Sequence, residues 1–334
     1  MPTHASARSA DVEAIAPRAL VVGGTGFLGR HVLAGLAEAG WETTVATRRR
    51  EVRLPGSRVI VLEPRSRFTE LFAEIRPALV VNAAGEIWRS DRELQEAANI
   101  SVPERLAMAL AESRGTARLV HLGSSMEYGP VAAPAAIDEC SATAPRTEYG
   151  RSKLIGTQRI LAGTEDHPLN VVVLRVFNAI GAGMSPSSLL GRTLEKLLRA
   201  RRDRGSATIE LFGPDQHRDY VDARDVADAV LAAATAHLPG DRAPVFNIGS
   251  ETARTAEEIV RELADVSGIR YRVTRSAAPG DRSAGTDWQL ADTGRARALL
   301  GWSAKRSLPE TAHQIWLSAT AEAPTELARG RRSA

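Results

Sequence analysis

Tyr149-Gly150-Arg151-Ser152-Lys153 sets a phenol and an ammonium four residues apart. At helical spacing both fall on one face. A free tyrosine, with a pKa near 10, is a poor acid or base at neutrality. A neighbouring ammonium favours the phenolate and is expected to bring that pKa down. Such a tyrosine can protonate an alkoxide as a hydride arrives at carbon, or take the proton back in reverse. Upstream, the run HLGSSMEYG carries Ser124 at the end of an apolar stretch. A serine hydroxyl there can hydrogen-bond the reacting oxygen beside Tyr149. Ser125 is the competing choice, and a helix cap or turn is the alternative role for Ser124.

A second cluster suits an anion. Gly23-Gly24-Thr25-Gly26-Phe27-Leu28-Gly29 follows the apolar run Ala19–Val22 and opens a helical pattern. In that context Gly23 permits a tight turn, Gly26 lets backbone N–H groups approach a pyrophosphate, and Gly29 lets the helix pack close to the strand. The helix N-terminus adds positive potential for the anion. The loop, with Thr25, Phe27 and Leu28, is therefore expected to hold a dinucleotide, a plain glycine-rich turn being the alternative. A carboxylate at the end of the second strand would bind a free ribose 2′-OH, but Thr47 is followed by Arg48, Arg49 and Arg50. Arginine can pair with a 2′-phosphate in fork geometry. NADP(H) is thus expected over NAD, with Arg48 the first contact and Arg49 the second, against the alternative of a solvated arginine loop.

Alternating elements must position these groups. Strands are expected at 19–22, 41–47, 59–62, 78–82, 117–123 and 170–175, and helices at 27–39, 68–75, 91–114 and 149–162. Continuously apolar strands alternating with helices imply a parallel sheet wound on both faces. The class is α/β: a doubly wound Rossmann sheet with a smaller, interleaved C-terminal α/β substrate lobe. The dinucleotide domain is expected over 18–176, with 219–250 returning to it. The lobe takes 177–218 and 251–320, and 1–17 and 321–334 are flexible tails. In the lobe a basic helix is expected near 189–203, a strand at 208–212 and a helix near 308–319. In the returning segment a helix is expected at 226–236 and a strand at 244–248.

Composition narrows the classes further. The 334 residues are 43% hydrophobic and 25% charged, as in soluble globular proteins. No apolar run is long enough to span a bilayer, and residues 1–17 lack the apolar core of a secretory signal. A net charge of +3, with no basic stripe interleaved with aromatics, does not indicate nucleic acid. Cys140 is the lone cysteine, so no internal disulfide can form, which fits the cytoplasm. No metal site is expected.

The glycine motif, NAAG at Asn82–Gly85, SSMEYG, YGRSK, LRVFN, HRDYVDARDVADA and LLGW occur in order. With them the chain resembles the extended short-chain dehydrogenase/reductases, the sugar-nucleotide epimerase/dehydratase/reductase family, over about residues 18–318. The resemblance implies that Ser124, Tyr149 and Lys153 are catalytic, that Lys153 also holds the nicotinamide ribose, and that Ala83 lines the cofactor site. It implies that Ser125 and Asn178 contact substrate, and that Arg218 and Arg282 pair with its phosphates. A surface ion pair with Asp219 or Asp222 is the alternative for Arg218. Asn99 matches a helix asparagine that supports a bound water, or is a simple surface residue. A homodimer through the helices at 91–114 and 149–162 is also implied, although their apolar stripes could equally face the chain's own sheet.

Dehydratases of this family carry a Glu two residues before the tyrosine of the YG motif. Here that position is Met126, and Glu127 is displaced by one, so dehydration is not expected. An epimerase returns its hydride and gains nothing from an NADPH pool, whereas a reductase consumes it. SSMEYG and RDYVDARDVADA also resemble reductases of nucleotide-linked 4-keto-6-deoxyhexoses. The expected reaction is NADPH-dependent reduction of a C4 ketone, with dTDP or GDP as the expected nucleotide. The alternatives are C4 epimerisation and an inactive NADP-binding regulator, although such regulators commonly lose the Tyr or Lys retained here.

Overall fold

The computed structural model describes residues 16–330 except 64–65, 88–90, 114–116, 167–168, 213–215, 239–243 and 277–287. In chain order the first half contains β1 (Arg18–Val22), α1 (Phe27–Glu38), β2 (Glu42–Thr47), β3 (Ser57–Val61), α2 (Phe68–Ile75), β4 (Leu79–Asn82), α3 (Arg92–Glu96), α4 (Val102–Glu112), β5 (Arg118–Ser124) and α5 (Glu148–Asp166). The second half contains β6 (Val171–Val176), β7 (Asn178–Ile180), α6 (Leu189–Arg202), β8 (Ala207–Phe212), β9 (His217–Asp222), α7 (Ala223–Thr235), β10 (Val245–Ile248), β11 (Ala253–Thr255), α8 (Ala256–Ser267), β12 (Tyr271–Ser276), α9 (Gly294–Leu300) and α10 (Leu308–Gly330).

Seven parallel strands form the large sheet in the order β10-β6-β5-β4-β1-β2-β3. The chain winds outward from β1 in one direction and resumes at β4 in the other, so a crevice opens at the carboxyl ends of β1 and β4. Alternation along each strand feeds two apolar layers. Ala19 and Val21 pack with Val32, Leu36, Val226 and Val230 under α1 and α7. Leu20 and Val22 pack with Phe72, Leu106, Leu110 and Ile160 under α2, α4 and α5.

Two small sheets complete the fold. β9 pairs parallel with β7 and antiparallel with β11, and β8 pairs parallel with β12. Residues 219–222 therefore lie in a small sheet, and the large sheet is rejoined by α7 and β10. Helices α6, α8 and α10 enclose a separate apolar cluster around Leu197, Ile209, Leu211, Leu263 and Ile315. The C-terminal segment does not stay there, because Ala296 and Trp302 pack into the core of the large sheet. Helix α10 continues to Gly330, past Ala319, through a segment that holds three Ala and two Glu, which favour helix.

The single helix expected over 91–114 is interrupted. A π-helical turn, Ala97–Ser101, separates α3 from α4. Pro103 has no N–H to offer the Asn99 carbonyl four residues back, so the ladder widens there. Opposite this turn stands Gly156 of α5, where a Cβ would come within 2.0 Å of the Asn99 carbonyl oxygen.

Candidate active site

Close backbone packing shapes the first half of the site. Gly23 follows β1 with φ +82°, and a Cβ there would lie 2.6 Å from Ala84 N and 2.7 Å from Ala83 C. Only glycine fits both the conformation and the approach of the Ala83–Ala84 turn. Gly26 is the N-cap of α1, and Gly26 N donates to Gly23 O at 2.9 Å. Phe27 and Leu28 begin the helix. At Gly29 a Cβ would meet Gly23 O at 2.2 Å. The first turn of α1 thus lies directly on the turn after β1, with its N-terminus at the crevice, a fitting place for a pyrophosphate.

Buried side chains brace this cradle. Thr25 Oγ1 lies 3.2 Å from Thr47 Oγ1. Ala84 N donates to Asn82 Oδ1, leaving Asn82 Nδ2 to donate to His121 Nδ1 at 3.0 Å. Burial, and then the Lys153 charge, hold the His121 imidazole well below its ordinary pKa. Arg49 N donates to Thr47 Oγ1. Arg50 pairs with Glu63, whereas Arg48 and Arg49 are exposed and in no ion pair among the described residues.

Ser124, Tyr149 and Lys153 converge beside the cradle, at the carboxyl end of β5 and the first turns of α5. The Ser124 side chain interacts with the Tyr149 phenol and opposes the rise in its pKa. Ser124 Oγ also accepts from Met126 N at 3.2 Å, so the same hydroxyl caps the short 3₁₀ turn Ser125–Glu127. Ser125 is buried in that turn, and Ser124 is the serine whose side chain acts on the Tyr149 phenol. Lys153, only 3% exposed, donates from Nζ to Leu122 O at 2.6 Å.

The expected lowering of the tyrosine pKa is not found. Burial pushes the Tyr149 phenol up to about 12, against the effect of Ser124, and the Glu127 charge adds to the rise. Burial likewise pushes Lys153 down to about 8. The reason is desolvation, which disfavours both the phenolate and the ammonium and here outweighs their spacing. Tyr149 is therefore held as a phenol, a proton donor, throughout the neutral range.

The opposite wall comes from the small sheets. Asn178 Nδ2 donates to Asp219 O at 3.0 Å and to Gln289 Oε1 at 3.1 Å, and Gln289 Nε2 reaches Met126 Sδ at 3.7 Å. Arg218 is 7% exposed, and its guanidinium donates to His217 O and Gln216 Oε1. The carboxylates suggested as its ion-pair partners are engaged elsewhere. Asp219 accepts from Ser250, Glu251 and Ala291, and Asp222 from Arg224 and Thr311. Arg282 lies outside the described residues.

Asn99 is fully buried, not a surface residue. Its side chain accepts from Glu86 N and donates to Glu86 O and Ser152 Oγ, each at 3.0 Å. Sequence reasoning missed three contributors. Trp288, whose ring lies 5.3 Å from that of His217, and Gln289 carry no local signal. Glu127 does, since Ser124-x-x-Glu127 has capping-box spacing. It is fully buried and bonded to Arg175, so it does not stand in for a dehydratase acid.

The profile of the NAD dependent epimerase/dehydratase family matches residues 19–249. The chain is 36% identical over 305 residues to a dTDP-6-deoxy-L-talose 4-dehydrogenase (NAD(P)(+)) from Kitasatospora kifunensis, covering 90% of this chain and 94% of that one. It is 26% identical to a UDP-glucose 4-epimerase from Rhizobium leguminosarum, covering 89% and 95%. The structure of RMD from Pseudomonas aeruginosa complexed with NADPH superposes with a TM-score of 0.74 at 21% identity, covering 92% of this chain and 99% of that one.

Proposed function

The chain belongs to the NAD dependent epimerase/dehydratase family, and on that premise we propose that it reduces the C4 ketone of a nucleotide-linked 4-keto-6-deoxyhexose with NADPH. The observation that carries this reading is the end of β2. Where a ribose with a free 2′-OH calls for a carboxylate, Arg48 and Arg49 stand exposed and outside any ion pair among the described residues. A 2′-phosphate supplies what they lack. An enzyme that draws on NADPH consumes reducing power, which favours reduction over epimerisation. The similarity to a 4-dehydrogenase of a dTDP-6-deoxy sugar supports the same chemistry read in reverse.

The Gly23–Gly29 loop, Ala83, Arg48, Arg49, Tyr149 and Lys153 would hold the cofactor, which when bound would offer a hydride to the ketone carbon. The side chains manage the oxygen. Ser124 and Tyr149, whose side chains interact, would both turn to the carbonyl oxygen, with Tyr149 delivering its proton as negative charge develops there. A phenol that stays protonated to about pH 12 suits this direction. Lys153 lies one turn along α5, its ammonium anchored on Leu122 O. Ser125, Asn178, Arg218 and Arg282 are assigned to the sugar and its diphosphate, with dTDP or GDP as the nucleotide. Exposed Met108 and Ile155, on adjoining α4 and α5, support a homodimer through those helices. No helix among the described residues is long and apolar enough to cross a membrane, and we place the enzyme in the cytoplasm.

The test is to mix the protein with NADPH and a panel of nucleotide 4-keto-6-deoxyhexoses and follow absorbance at 340 nm. Consumption with at least one is expected. No consumption, together with interconversion of closed-shell nucleotide sugars, would instead establish the C4 epimerase reading that the second relative supports.

A further inference from the structure

Ser124 and the helix carrying Tyr149 and Lys153 are joined along the chain by residues 129–147, which hold almost no regular structure. The end of β5 and the face of α5 therefore need a direct tie, and Glu127 makes one. Its fully buried carboxylate accepts through Oε1 from Ser124 N at 2.8 Å and Thr157 Oγ1 at 3.0 Å, and through Oε2 from Arg175 Nε at 2.9 Å. Thr157 lies one helical turn beyond Lys153 on the same face. Arg175 comes from the neighbouring strand β6 and stacks over the Tyr128 ring at 4.5 Å. The strand is bare where the carboxylate folds back, since a Cβ at Gly123 would lie 2.7 Å from Glu127 Oε1.

We propose that Glu127 is a positioning residue of the catalytic centre, its carboxylate fixing the Ser124 backbone against the face of α5 that presents Tyr149 and Lys153. This rests on the proton-transfer reading of those three residues. A capping box accounts for the bond to Ser124 N alone. It requires neither the bond to Thr157, nor the buried pair with Arg175, nor complete burial. The clamp also has an electrostatic consequence. The titratable groups around Lys153 are His121 on β5, Glu127, and Tyr149 on its own helix. Burial drives the ammonium toward neutrality, and the Glu127 charge opposes it. The same charge disfavours the Tyr149 phenolate. Losing it lowers the pKa of both groups.

Glu127→Gln keeps the shape and removes the charge. NADPH affinity, set chiefly at the glycine loop and Arg48, both distant in sequence from Glu127, should stay within about twofold. With a substrate from the panel, kcat at pH 7 should fall by about tenfold or more with KM within about threefold, and the alkaline limb of the reduction profile should move down by about half a unit or more. Nitrogen NMR of protein labelled at lysine provides a readout independent of activity, because Lys153, Lys196 and Lys305 are the only lysines. The Lys153 signal should titrate at lower pH by about half a unit or more. A folded Glu127→Gln variant with kcat within about twofold of wild type and an unmoved Lys153 titration would overturn the proposal. If Glu127→Gln does not fold, Thr157→Val decides: it cuts the tie to α5 and leaves the charge. It should lower kcat about three- to tenfold with Lys153 titrating as in wild type, and an unchanged kcat overturns the clamp. A wild type inactive on every sugar would sink the functional reading, while the lysine titration still judges Glu127.

Discussion

Gly29→Ala is the sharpest test of the cofactor cradle. The new Cβ would sit 2.2 Å from Gly23 O, 2.7 Å from Gly24 Cα and 2.9 Å from Gly23 C, all backbone atoms with no rotamer to yield. Restoring ordinary contact requires the first turn of α1 to move by about 1.2 Å. The helix has little room behind it, since Val32, Leu33 and Leu36 are buried against the sheet and α7. A shift of that size turns a 2.9 Å hydrogen bond into no bond. Losing one bond to a charged phosphate costs about 1.5–3 kcal/mol, or roughly ten- to 150-fold in Kd. Overpacking adds about 1–3 kcal/mol of instability. The control lies on the same helix. A Cβ at Gly35 would meet Ala227 Cβ at 3.4 Å and Leu231 Cδ1 at 3.6 Å, ordinary contact, so Gly35→Ala should be neutral or stabilise by up to about 1 kcal/mol through helix propensity. Fluorescence titration with NADPH and thermal melts read both. Gly29→Ala binding NADPH within about twofold of wild type and melting at the wild-type temperature would refute the packing argument.

Other substitutions separate binding, chemistry and stability. Tyr149→Phe should still bind NADPH and lose about 100-fold or more in kcat by removing the proton donor; near-normal turnover in stopped-flow assays would refute that role. Arg48→Ala should weaken NADPH by roughly tenfold or more while leaving NADH affinity within about twofold, read by parallel titrations. Lys153→Met should abolish turnover yet stabilise the cofactor-free protein at pH 7. Burial brings the Lys153 ammonium from its ordinary 10.5 down to about 8, so the unfolded chain carries the extra proton between those values and stability rises with pH across that window. Below about pH 8 the full burial cost of about 3 kcal/mol applies, and methionine removes it. Melting curves of both proteins across pH 7–10 should converge as pH rises; a variant less stable than wild type at pH 7 would contradict the sign. Gly156→Ala should destabilise by about 1–3 kcal/mol in urea unfolding, because its Cβ would meet the Asn99 carbonyl at 2.0 Å.

Local features of the sequence carried far. Gly40 stops α1 in the left-handed region with φ +79°, as a glycine after a helix does, and the parallel character of the sheet follows from apolar runs alternating with helices. The π turn was missed because a regular 3.6-residue pattern over 91–114 does not reveal that Pro103 leaves the Asn99 carbonyl without its helical donor. Met126 was legible as a missing acid. Its thioether contact with Gln289 was not, because 163 residues separate the two.

What the sequence determined by itself is what depends on short-range sterics: the turn at Gly23, the close approach at Gly29, and the common face of Tyr149 and Lys153, since each follows from the backbone geometry of a few consecutive residues. Only the tertiary structure decided the electrostatics of that face. Desolvation is set by everything packed around a group, so burial raised the Tyr149 pKa where spacing alone argued for lowering it. The same packing turned Glu127, one residue out of register for a dehydratase acid, into the buried link between Ser124, Thr157 and Arg175.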